Sequence, residues 1–97
     1  MPTYVVLTKL RPAARKIIDQ HPDRLAEVDA QVKQLGGKIV RQYAVLGEYD
    51  FVTFIEAADN AAVASIGAEI STLGTLTMET LPAVEIDRFQ KLLKIEP

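Results

Sequence analysis

The segment Phe51-Val-Thr-Phe-Ile-Glu-Ala57 alternates as a β-strand does, yet both halves of the alternation are apolar. Val52 and Phe54 point one way, and Phe51, Thr53 and Ile55 the other, because successive strand side chains take opposite faces. A strand of an antiparallel sheet with one wet face reads as apolar alternating with polar. The same doubling occurs in residues 3–10, where Val5 and Leu7 oppose Tyr4, Val6 and Thr8. In residues 38–46, straight alternation sets Val40 and Ala44 against Ile39, Tyr43 and Val45. Whatever this chain folds into must cover a sheet on both of its faces.

The intervening segments supply covers for one face. Residues 11–20 predict a short helix, with Pro12 in its first turn and Ile17 and Ile18 inward. A second and stronger helix follows, with Pro22 at its first position and Leu25, Val28, Val32 and Leu35 on one stripe. Gly36 and Gly37 end it. The strand over 38–46 is separated by Gly47-Glu48 from the strand over 49–57, a hairpin whose turn uses Gly47 for a positive φ. Residues 59–74 predict another helix, capped by Asp59 or Asn60. It carries Val63, Ile66, Ile70 and Leu73 inward, and Gly74 ends it. Its small residues Ala62, Ala64, Gly67 and Ala68 suit close approach to a neighbour. Residues 75–86 predict a fourth strand, which Pro82 assigns to a sheet edge. A closing helix over 87–95 would turn Phe89, Leu92 and Leu93 inward.

The order β-α-β-β-α-β is the ferredoxin-like, split β-α-β arrangement: an α+β fold with a four-stranded antiparallel sheet and both helices on one face. It fills residues 1–97 as a single domain. The second face then stays apolar and bare, which soluble monomers rarely tolerate. Two covers are available: a second copy packed face to face, giving a dimeric α/β barrel, or the C-terminal helix of the same chain. The homodimer is the expectation, helped by the large share of surface that a 97-residue domain leaves unburied.

Composition narrows the function. A net charge of −2 offers no footprint for nucleic acid. The absence of Cys removes thiolate catalysis and Cys-ligated metals, and the single His21 has no partner at metal-ligand spacing. No cofactor and no metal are expected. No uncharged run approaches the ~20 residues that span a bilayer, and no basic leader precedes the first strand, so no membrane partner and a cytoplasmic location are expected.

The stretches TYVVLTKL (3–10), QLGGKIVRQYAVLGEYDFVTFIEAADNAA (34–62) and STLGTLTMETLPAVEIDRF (71–89) resemble the GYD domain family. The family is named for a Gly-x-Tyr-Asp turn, here Gly47-Glu48-Tyr49-Asp50. The resemblance implies the dimeric α/β-barrel fold and no particular activity. The chain departs from the family at RPAAR (11–15), where members usually carry a turn with Thr and Gly, so ligand contacts made by that turn do not carry over. Residues 40–84 are also similar, more distantly, to the effector-binding domain of leucine-responsive regulators. There a similar turn lies near a site between subunits that binds amino acids. The helix-turn-helix of those regulators has no counterpart here, which implies a sensor part only.

The candidates for small-ligand binding are Tyr4, Arg41, Tyr43, Tyr49, Asp50, Thr53 and Glu79. Asp50 opens a strand beside the Gly turn, where a carboxylate either accepts from a ligand or satisfies hairpin N–H groups. Tyr49 either meets a ligand or packs its ring with its hydroxyl in water. Arg41, Tyr43, Thr53, Thr77 and Glu79 dot apolar faces with polar groups. If they share the face that a partner covers, they line a mostly apolar pocket of the kind that binds small molecules. Otherwise Arg41 and Glu79 form a weak rim ion pair. The basic residues Lys9, Arg11, Arg15 and Lys16 read as solvated surface, and Met78 as core. Three functions follow: a small-ligand-binding or regulatory homo-oligomeric module, a cofactor-free oxygenase or isomerase by analogy of fold, and a purely structural assembly module.

Overall fold

The computed structural model describes residues 1–71 and 76–93, without the side chains of Arg24 and Ser71. Its elements in chain order are β1 (Thr3–Leu10), α1 (Pro12–Gln20), α2 (Arg24–Gln34), β2 (Lys38–Ala44), β3 (Phe51–Glu56), α3 (Asn60–Ser71), β4 (Leu76–Ala83) and α4 (Ile86–Leu93). The four strands form one antiparallel sheet in the order β2-β3-β1-β4. The β1-to-β2 crossover is two helices, because Pro22 stands between them and α2 begins only at Arg24. Pro82 lies on β4, an edge strand, where its missing N–H is tolerated. Leu73 and Gly74, expected to finish the second crossover helix, lie outside the described residues.

One face of the sheet is closed by helices. Val6 and Ile55 from the sheet meet Val32 of α2, Ile66 and Ile70 of α3, and Leu76, all buried. A smaller cluster joins Tyr4, Ala57 and Val63. The Asp59 carboxylate accepts the Ala62 N–H at 2.8 Å and so caps α3 as its sequence position requires. Gly36, at φ +92°, ends the α2 region, and Gly47, at φ +117°, turns the β2–β3 loop; side chains rarely adopt either conformation. That loop runs over residues 45–50, longer than a tight turn, and is closed by the Val45 N–H donating to the Asp50 carbonyl at 3.0 Å.

Three expectations are corrected. Straight alternation in β2 placed Ile39 and Tyr43 on one face, but a bulge at Val40 separates them. Ile39 pairs with Ile55 on the helix side, whereas Arg41 and Tyr43 pair with Phe54 and Val52 on the other. One extra residue reverses the face of everything beyond it. The close approach expected of the small residues of α3 is not made at Gly67, where a Cβ would meet open space, although Ala62 packs against the Tyr4, Ala57 and Val63 cluster. The third correction concerns α4. Its apolar residues do not turn inward: Phe89, Leu92 and Leu93 are about half exposed, and no α4 side chain is buried. The helix follows the edge strand in a molecule that measures 57 × 29 × 18 Å.

The second face therefore stays open in the single chain. One cross-strand row on it reads Arg41, Phe54, Val5, Leu81, and the next Tyr43, Val52, Leu7, Glu79. Ile55 is 1% exposed at the centre of the opposite, closed face. Its replacement by alanine is expected to cost about 2–5 kcal/mol in urea unfolding, as deletion of buried methyl groups does.

Candidate functional site

The open face carries polar groups at its two margins and an apolar strip between them. At one margin the Arg41 guanidinium donates to the Tyr43 hydroxyl at 3.3 Å, and the Tyr43 ring meets Phe54 edge-on with centroids 6.3 Å apart. This hydrogen bond, with the phenol's partial negative charge, pushes the Arg41 pKa further up. At the other margin Tyr49 reaches out of the β2–β3 loop and donates its hydroxyl to Glu79 of β4 at 2.6 Å. That bond raises the Tyr49 pKa above the usual phenol range, with smaller contributions from desolvation and from the Glu79 and Glu48 charges. Val52, Leu7, Phe54 and Val5 lie between the two pairs. Tyr43 and Glu79 share one row but are separated by β3 and β1, roughly 14 Å at the usual strand spacing.

Four of the seven sequence candidates thus share one surface: Arg41, Tyr43, Tyr49 and Glu79. The alternative, a rim ion pair between Arg41 and Glu79, is not formed, because β2 and β4 are the opposite edges of the sheet. Nor is the Tyr49 hydroxyl left to water. Asp50 sits at the end of the sheet. One carboxylate oxygen accepts the Leu10 N–H at 2.8 Å and the other lies 3.4 Å from the Arg15 guanidinium. Its own N–H donates to the Thr8 carbonyl at 2.8 Å. Asp50 thereby ties the loop to the end of β1 and draws Arg15 from the basic cluster.

Tyr4 and Thr53 are on the helix side instead. Tyr4 is 1% exposed and donates its hydroxyl to the Asn60 side chain at 2.7 Å, which fastens β1 to the start of α3. Thr53 accepts from the Gln42 amide at 3.1 Å. Sequence reasoning missed Gln42 and gave Asn60 only as a possible helix cap. Their only signal was a polar side chain at a position that register would place beside a buried hydroxyl. His21 is exposed and contributes its backbone N–H, donated to the Ile17 carbonyl at 2.8 Å, to the end of α1. Among the described residues no cluster of three His, Asp or Glu side chains could hold a metal ion. Among the same residues no helix is long and apolar enough to cross a membrane.

A four-stranded antiparallel sheet with helices on one face and a bare, polar-margined second face defines the class: a ferredoxin-like α+β domain. Within it, the chain belongs to the GYD domain family, whose profile matches residues 4–93. It is 37% identical over 90 residues, 89% of this chain and 95% of the relative, to the "Glutamine synthetase and cystathionine beta-lyase binding protein" of Thermus thermophilus. Among solved structures it resembles FFRP-DM1, with a TM-score of 0.62, 17% identity, and coverage of 87% of this chain and 100% of that one. It also resembles TTHA0845 of Thermus thermophilus, with a TM-score of 0.58, 23% identity, and coverage of 88% and 95%. Both likenesses concern the fold.

Two measurements check the site. The raised Tyr49 pKa means that the folded state holds this proton more tightly than the unfolded chain does. Its contribution to stability is therefore present below pH about 10, the ordinary phenol value, and is lost as pH rises through the folded pKa. Ultraviolet titration of the native protein against Glu79→Ala should show the Tyr49 phenol moved to lower pH in the variant. Asp50→Ala should lower unfolding stability by about 1–3 kcal/mol in urea, the range for removing a hydrogen-bonded charged partner, with Asp50→Asn losing less.

Proposed function

We propose that this chain is a non-enzymatic binding or regulatory module that works as a homodimer or larger assembly. The supporting observation is the open sheet face, where Val5, Leu7, Val52 and Phe54 are only half-buried and Leu81 is 41% exposed. A second copy laid on this face removes the apolar strip from water. At ~25 cal/mol per Å², several hundred Å² of apolar area favours the contact by several kcal/mol before association costs. The product is the dimeric α/β barrel. Its interior receives the Arg41–Tyr43 and Tyr49–Glu79 pairs from each copy, an apolar chamber with few polar groups, suited to a small metabolite with hydrogen-bonding ends.

The name of the Thermus thermophilus relative favours a second level of this reading, in which the assembled module docks onto enzymes. Glutamine synthetase and cystathionine β-lyase are the first partners to try. A cofactor-free oxygenase or isomerase would need a base other than Tyr49, whose raised pKa keeps the phenol protonated near neutral pH.

Sedimentation velocity tests the assembly. The native chain is expected to sediment as a dimer or larger, and Leu81→Glu, exposed in the single chain, as a folded monomer. A native monomer overturns the reading. Immobilised native protein, but not Leu81→Glu, is expected to retain the two enzymes if docking needs the assembled form.

A further inference from the structure

On the other side of the sheet, away from the Arg41, Tyr43, Tyr49 and Glu79 face, lies a cavity of about 490 Å³ between the strands and helices α1 and α2. Its origin is in the sequence. Pro22 breaks the first crossover into two short helices, and the only buried side chain of α1 is the small Ala14, so the pair bridges the sheet without filling the space beneath. The walls are chiefly apolar, with Ile18, Val28, Ile39 and Phe51 among them. The volume is roughly three times that of an engineered apolar cavity that stays dry and admits benzene, and it falls in the range of small-molecule sites.

The polar part of the lining is specific. Thr8 and Thr53 lie on the sheet floor, and Gln42 donates to the Thr53 hydroxyl at 3.1 Å, which leaves that hydroxyl's own proton to be donated elsewhere. The charged side chains of the described lining are Glu27 and the half-buried Asp29, both carboxylates, with no Lys or Arg among them. A ligand carboxylate or phosphate would meet the Asp29 carboxylate, and no Lys or Arg stands in the described lining to receive it. An alcohol meets the Thr–Gln floor, and an amine meets Asp29.

We propose that this cavity is a binding site for a compact, mainly apolar molecule that is neutral or carries an amine, and that it excludes anionic amphiphiles such as fatty acids. The site is independent of the open face and does not rest on the homodimer.

The test compares three eight-carbon probes on the full chain, below their micellar concentrations: 1-octanol, n-octylamine and octanoate. Saturable rises in Tm are expected with octanol and octylamine, and octanoate should bind at least about tenfold more weakly. Intermolecular NOEs from octanol are expected at the methyls of Ile18 and Ile39, not at those of Leu7 or Leu81. Val28→Phe, which fills the space, should abolish binding. Asp29→Asn, nearly isosteric, should remove the preference for octylamine over octanol while leaving octanol binding unchanged; it keeps the test decisive if the filled variant fails to fold. No binding by octanol or octylamine, NOEs confined to the open face, or octanoate binding as tightly as octylamine would each overturn the proposal.

Discussion

The structure turns on a mismatch between one sheet and its covers. Four strands present apolar side chains on both faces, and the helices of the same chain close only one. The closed face holds the buried core of Val6, Ile55, Val32, Ile66 and Ile70. The open face holds an apolar strip with polar pairs at its margins. Helix α4 was the internal cover weighed for that face, and its apolar residues stay exposed. Oligomerisation is proposed to make up the cover that the single chain lacks.

The placement of the polar groups follows from the bulge at Val40. Without it, Arg41 would join Ile39 on the helix side, and burying an unpaired guanidinium there would be costly. With it, Arg41 and Tyr43 move to the open face, and Gln42 turns toward the buried Thr53. The Gly47 turn acts at the opposite margin. It carries Tyr49 out to Glu79 and leaves Asp50 to bind the end of β1. Two local irregularities therefore decide which polar residues share a surface.

Much of this was legible in the sequence. The element order, the doubled alternation of residues 3–10 and 51–57, the cap at Asp59 and the edge position of Pro82 are local signals, and the structure repeats them. The faces of β2 were not legible, because a bulge is a relation between two strands and leaves no mark in the Ile39-Val40-Arg41 stretch alone. The separation of Tyr4 and Thr53 from the four open-face candidates was partly readable from their parity with Val6 and Ile55. The pairing of Tyr49 with Glu79 was not, since it depends on a loop crossing to a strand thirty positions on. The exposure of Phe89, Leu92 and Leu93 was also hidden. An amphipathic helix declares that it has an apolar side, but not which molecule it will meet.

Carbene footprinting of the native protein tests the central claim most directly, because it reports solvent access side chain by side chain. Leu46, fully exposed in the β2–β3 loop, is the internal standard. If the open face is buried against a second copy, Val5, Leu7, Val52, Phe54 and Leu81 will label far less than Leu46, and dilution will raise their labelling together. If Leu81, 41% exposed in the single chain, labels in proportion to that exposure at every concentration, the face is bare in solution and the account is wrong.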